Sequence, residues 1–154
     1  MSKFLQGKFN PKHPEKYVGD PKNIQIRSSY ELRAMMWLDD NPAVIKWGSE
    51  EFHIPYVKPT DGKIHRYFPD IVFQYKAADG SIRKVLVEIK PEVQTRPPKL
   101  ATTKTGKASR RYLNEAMTYA TNMAKWEAAQ SWCKKNGFEW MIWDEYALGI
   151  KTRK

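Results

Sequence analysis

Two carboxylates and a lysine stand where short strand-like runs meet turns. Asp70 follows Pro69 and opens Ile71-Val72-Phe73, while Glu88 and Lys90 close the run Val85-Leu86-Val87-Glu88-Ile89-Lys90. Carboxylate oxygens are the hard ligands that Mg²⁺ prefers, and a Mg²⁺ ion polarises a phosphate and lowers the pKa of a bound water. A lysine beside them can orient that water or stabilise charge building on the phosphate oxygens. This is the set of groups that phosphodiester hydrolysis uses. Without a cation, carboxylates on adjacent strands would repel.

The elements that must position these groups can be read from pattern. Tyr30, Ala34, Trp37 and Leu38 recur at helical spacing and predict a helix from about Ser28 to Asp40, ended by Asn41-Pro42. Val44 to Trp47 and Phe52 to Tyr56 read as short strands, the second at an edge because of Pro55. A turn at Pro59-Thr60-Asp61-Gly62 leads into a run from Ile64 to Tyr75, and a turn at Ala78 to Ser81 leads into a strand from Ile82 to Ile89. If Asp79 centres that second turn, Asp70 lies directly opposite Glu88, with Cβ atoms about 5 Å apart. If Asp79-Gly80 is a two-residue loop, Asp70 faces Ile89 instead. Glu88 and Lys90 share a face in either register. Leu113, Ala116, Met117, Ala120, Met123 and Ala124 mark a second helix over about 109–135, stopped by Gly137, and Phe138 to Trp143 is a final strand.

The chain has 154 residues, the size of one ordinary domain, and is 41% hydrophobic and 13% aromatic, which excludes a disordered chain. Residues 27–154 read as that domain and residues 1–26, with Pro11, Pro14 and Pro21 among five lysines, as an extended basic arm. No apolar run is long enough to cross a bilayer, and no signal peptide is expected near Met1. The single cysteine, Cys133, excludes an intramolecular disulfide, and His13, His53 and His65 are too scattered for a zinc site.

A formal charge of +10 points to a polyanionic partner. The aperiodic stretch from about 91 to 108 reads as a long loop, and no acid occurs from Val93 through Leu113. Arg96, Lys99, Lys104, Lys107, Arg110 and Arg111 in and beside it are candidate phosphate-binding residues, with Arg66 near Asp70 a further one. Trp126, Trp132, Trp140 and Trp143 are read as packing residues rather than as base-stacking platforms.

Pro69-Asp70 followed by Glu88-Ile89-Lys90, with Glu31 on a preceding helix, resembles the signature of the PD-(D/E)xK nuclease superfamily. The element order is similar to its restriction-endonuclease-like α-β-β-β-α-β core, an α/β fold with a mixed central sheet flanked by helices. Asn10-Pro11-Lys12, Arg27 to Leu32, Trp47-Gly48-Ser49-Glu50-Glu51, His65 to Asp70 and Glu88 to Pro91 extend the likeness. From about Lys8 to Glu145 the chain looks like the head completion nucleases of contractile-tailed bacteriophages, which are related to TnsA-type transposon endonucleases. The resemblance implies Glu31, Asp70 and Glu88 as metal ligands and Lys90 as the catalytic lysine. It implies Mg²⁺ as cofactor, with Mn²⁺ able to substitute, and double-stranded DNA as substrate. It also implies phage head or neck proteins as further partners, with action in the host cytoplasm during assembly or in association with the virion.

Two alternatives stand beside this reading. Ser28-Ser29-Tyr30-Glu31 also fits a capping box, in which Glu31 bonds the backbone at the helix start rather than a metal. A basic protein that binds DNA or closes a head vertex without turnover would account for the charge. It would not account for clustered carboxylates, which repel phosphate.

Overall fold

The computed structural model describes residues 7–153. Its centre is a four-stranded sheet in the order β3 (Val44–Ser49), β6 (Ile71–Lys76), β7 (Ile82–Ile89), β8 (Glu139–Trp143). The first three strands are antiparallel and β8 runs parallel to β7, so the sheet is mixed as expected. A parallel strand needs a long crossover. Helix α2 (Arg110–Asn136) supplies most of it. Helix α1 (Ser29–Asp40) covers the other face.

Both helices begin and end where their sequences direct. Ser28 Oγ accepts from Glu31 N at 3.1 Å and Ser109 Oγ accepts from Tyr112 N at 3.1 Å, satisfying amides that have no partner inside the helix. Gly137 ends α2 at φ 73°, a left-handed conformation that costs glycine little.

Period-two alternation sorts the sheet residues into two cores. Val85, Val87 and Ile89 join Ile71, Phe73 and Trp47 beneath Ala34, Met35 and Leu38 of α1. Leu86 faces the other way, toward Trp126, Ala129 and Cys133 of α2. The four C-terminal tryptophans accordingly pack: Trp126 is buried, Trp132 lies against Phe52 and Phe138, Trp143 stacks on Phe73 and Trp37, and Trp140 packs in the α2-side core. Burial pushes the Cys133 thiol up to about 11, as suits an inert packing thiol.

Two expectations need revision. The run from Ile64 to Tyr75 is two strands, not one. Its first part, β5 (Ile64–Tyr67), pairs with β4 (Ile54–Val57) in a separate hairpin packed on α2, and only β6 joins the central sheet. Pro69, which cannot donate to a ladder, stands at the break.

The stretch read as an extended arm is also more ordered than its composition suggests. Residues 1–6 lie outside the described residues, but β1 (Gly7–Phe9) pairs with β2 (Ile24–Ile26), and Phe9, Tyr17, Ile24 and Ile26 enter the α1-side core. Between them Lys16 Nζ donates to the carbonyls of Leu38, Asp39 and Asn41 at 2.7–2.8 Å, where the dipole of α1 favours a cation. Asp39 in turn accepts from the backbone amides of Lys12 and His13. The arm then crosses Gly48, where an added Cβ would lie 2.5 Å from Val18 Cγ2.

Candidate active site

The turn joining β6 to β7 decides where the carboxylates meet. Ala77 N donates to Ser81 O at 2.8 Å, so Asp79 centres a five-residue loop and Ile71 pairs with Val87. One step further along the same register sets Asp70 opposite Glu88, the first of the two arrangements open in the sequence. Both lie on the face of the sheet toward α2 and the β4–β5 hairpin, because they alternate with Ile71 and Val87 on the other face.

Each group is anchored. Asp70 Oδ2 accepts from Ile89 N at 2.7 Å, and Glu88 Oε1 accepts from the Tyr67 hydroxyl at 2.5 Å. Lys90 Nζ lies 3.3 Å from Glu88 Oε2, with the Glu88 side chain only 8% exposed. The backbone of Lys90 is fixed too, since its N–H donates to Trp143 O at 3.0 Å and extends the β7–β8 pairing by one residue. Asp70, Glu88 and Lys90 are therefore brought together at one end of the sheet.

Glu31 reaches this end from α1. Its Oε1 accepts from Arg27 N at 3.2 Å, one residue earlier than the Ser28 amide of the expected capping box. One carboxylate oxygen is thus engaged in closing the helix start, while the charge remains close enough to act on Glu88 and Glu50. Burial, more than any neighbour, raises the Glu31 pKa.

Glu50 is the group that sequence reasoning passed over. It follows β3 in a left-handed conformation, φ 51°, which costs a non-glycine residue about 1 kcal/mol or more. Its N–H donates to Asp70 O at 3.3 Å, and its side chain is ion-paired to Arg27. Glu50 also has its pKa raised, mainly by burial, with Arg27 opposing and Glu88 reinforcing the shift. Its place in the run Gly48-Ser49-Glu50-Glu51 after a strand was the available signal; no periodicity marks it. Tyr67 was likewise not singled out, and only the fold reveals its bond to Glu88.

Asp70 feels the crowding most. Burial first, and then the Glu88 charge, hold its pKa well above the usual carboxylate value. Four carboxylates with one lysine and one arginine among them make a donor set suited to a hard divalent cation. Among the described residues no three His, Cys, Asp or Glu side chains stand close enough together to cage an ion as they are. The pair Asp70 and Glu88 is the part of the set that fits one.

The architecture agrees with a family comparison. The model of the N-terminal part of TnsA-like endonucleases matches residues 41–145. The chain belongs to the TnsA-like endonuclease family. The match contains Glu50, Asp70, Glu88 and Lys90 and begins after Glu31. Over 148 residues this TnsA-like nuclease is 43% identical to the head completion nuclease of Enterobacteria phage T4, covering 94% of this chain and 96% of that protein. The restriction-endonuclease-like core is the one expected from the element order.

The cationic candidates are placed differently. The stretch 91–108 contains a 3-10 turn, Glu92–Thr95, and then a tight reversal in which Thr102 bridges Ala108 and Gly106 takes φ 82°. Lys104 and Lys107 are exposed on this reversal, and Lys99 is exposed before it. Arg110 is exposed at the start of α2, while Arg111 pairs with Glu115 at 2.9 Å and Arg96 with Glu92 at 3.5 Å. Arg66 is exposed on the hairpin, opposite Pro55.

Proposed function

We propose that this nuclease hydrolyses phosphodiester bonds of double-stranded DNA, using Mg²⁺ held by Asp70 and Glu88, and acts in the completion of bacteriophage heads. The observation that carries the reading is the β6–β7 register, which, continued by one residue, sets Asp70 beside Glu88, whose charge acts on it, with Lys90 Nζ 3.3 Å from Glu88. Near-full-length similarity to a phage head completion nuclease supports the biological role.

Bound there, Mg²⁺ supplies Lewis acidity toward the scissile phosphate and a water of lowered pKa. Glu88 is kept in place by Tyr67 and Asp70 by the Ile89 amide, so both offer their remaining oxygens in fixed directions. Lys90 keeps a cation beside the carboxylates, where it orients a water and balances charge on the phosphate oxygens. Glu31 contributes a further acidic oxygen from α1. Lys99, Lys104, Lys107, Arg110 and Arg111 hold the substrate's phosphates, with Arg66 and Arg96 at the margins. Mn²⁺, with the same preference for oxygen, should substitute. Phage head or neck proteins are further partners in this reading. The host cytoplasm during assembly, and then the virion, are its places of action.

The test is incubation of purified protein with linear and circular duplex DNA, with Mg²⁺ or with chelator. Cleavage that needs the cation and is lost in both Asp70→Ala and Glu88→Ala supports the assignment. Tight binding with no cleavage under any cation would replace it with a non-catalytic DNA-binding role. Undiminished cleavage by both variants would remove these residues from the site.

A further inference from the structure

A groove of about 430 Å³ runs between the β4–β5 hairpin and α2. Its lining includes Lys58 from the hairpin and Asn114, Thr118, Thr121, Asn122 and Lys125 from the helix. None of these belongs to the basic loop or to the carboxylate site. From these observations we infer that the groove is a binding subsite for the sugar–phosphate backbone of a DNA strand, leading it from the basic loop to Glu88. The inference rests on the proposed DNA substrate and adds the path that the strand takes.

Four features support it. First, no acid lines the groove, and Met117 is its one apolar lining residue. The remaining groups, ammonium, amide and hydroxyl, are those that bond phosphate and sugar oxygens without reading bases.

Second, Asn114, Thr118, Thr121 and Lys125 recur at intervals of four, three and four, which places them on one stripe of α2. Continued backward by three residues, the stripe reaches Arg111, next to the exposed Arg110 that follows the Lys104–Lys107 reversal. From Asn114 to Lys125 the helix advances about 16 Å. One strand of duplex carries a phosphate about every 3.4 Å of axis, so this length serves several in a row.

Third, Asn122 is 9% exposed and lines the groove. A side-chain amide on a groove wall offers N–H donors to phosphate and sugar oxygens.

Fourth, the groove adjoins the site. Lys125 Nζ lies 5.8 Å from the ring centroid of Tyr67 and 5.9 Å from that of Tyr56, and the Tyr67 hydroxyl bonds Glu88 at 2.5 Å. A single aromatic ring separates the groove's inner cation from the catalytic carboxylate. Lys58 has the nearby Asp61 acting on it, but that carboxylate is itself held by His65 at 2.8 Å.

The experiment measures anisotropy of a labelled duplex with the full chain in chelator, over a range of salt, so that binding is read without chemistry. Lys58→Gln with Lys125→Gln should weaken binding about tenfold at moderate salt and lower the slope of log affinity against log salt by about two. Thr118→Glu, a surface change on a helix that favours glutamate, should also weaken binding by putting an acid in the groove. A control pair, Lys134→Gln with Lys135→Gln near the far end of α2, should change neither affinity nor slope by more than a simple loss of net charge.

Unchanged affinity in Thr118→Glu, or a slope in the groove pair no lower than in the control pair, overturns the subsite. Cleavage with Mg²⁺ by the wild-type chain, measured in parallel, separates this from the functional reading. If the wild type cuts and the groove variants bind normally, the subsite is wrong and the nuclease stands. If the wild type binds through the groove and does not cut, the subsite stands without the hydrolysis.

Discussion

Replacing Asp70 by asparagine should make the metal-free protein more stable, although it removes a charged, partly buried and hydrogen-bonded side chain. Continued by one residue, the β6–β7 register sets Asp70 opposite Glu88, a placement in which cross-strand Cβ atoms are about 5 Å apart. At an effective dielectric of about 20, two unit charges at that separation repel by about 3 kcal/mol. Asparagine keeps a side-chain oxygen to accept from Ile89 N, now 2.7 Å from Asp70 Oδ2, but the bond is no longer charge-assisted, which forfeits about 1 kcal/mol. Lys90 is paired with Glu88, so that attraction survives the change. The balance favours the variant by about 2 kcal/mol, which for a chain of this length raises Tm by about 4–8 °C.

The pH dependence has a definite sign. The Asp70 pKa in the folded state is raised from 3.8, so the native state binds its proton more tightly than the unfolded chain. Its contribution to stability is present in full below the usual value and is lost as pH rises through the raised native one. Thermal unfolding followed by circular dichroism in chelator should show the variant's advantage growing as pH increases from 3.8 through that window, then levelling. Mg²⁺ should reverse the ranking, because it stabilises wild type by about 2.7 kcal/mol at a hundred times its Kd and the variant far less. A metal-free variant less stable than wild type at neutral pH, or an advantage that does not depend on pH, would refute the idea that the two carboxylates are held in uncompensated repulsion.

Glu31→Gln should leave stability nearly unchanged, since glutamine can still accept from Arg27 N, while sharply reducing cleavage and raising the Mg²⁺ requirement; full activity would reduce Glu31 to a capping residue. Ser28→Ala is its complement and should cost about 1 kcal/mol in chemical denaturation with activity kept. Lys90→Ala should still take up the cation, measured by calorimetry, and lose turnover; loss of metal affinity alone would contradict its role. Neutralising Lys104, Lys107, Arg110 and Arg111 together should weaken all duplex sequences about equally. It should also flatten the salt slope by roughly one unit for each phosphate these cations neutralise, and an unchanged slope would mean that they are merely solvated.

Much of this protein is written in short-range signals, because a helix or hairpin depends on residues a few positions apart. Ser28, Ser109 and Gly137 set the helix limits by satisfying, or permitting, backbone geometry next to them. The central turn at Asp79 fixes the β6–β7 register, and through it the pairing of Asp70 with Glu88. Asp70, Glu88, Lys90 and the one-signed loop were legible as candidates in the sequence, whereas the choice between the two registers needed the five-residue loop closed by Ala77 N and Ser81 O.

What sequence left open depends on contacts between distant segments. Pro69 interrupts the run from Ile64 to Tyr75, but which sheet each half joins is decided by packing on α2 and on β7 rather than by local propensity. The polar, proline-rich start of the chain looks like a tail until Lys16 meets the C-terminal carbonyls of α1 and Phe9 and Tyr17 meet Trp47. Glu50 carries no pattern of its own; it enters the site because its strained backbone bonds Asp70 O and its charge meets Arg27 across the fold. Glu31 shows the division within one residue. Its capping geometry is local and was readable, whereas its approach to Glu88 exists only because α1 packs against the sheet end.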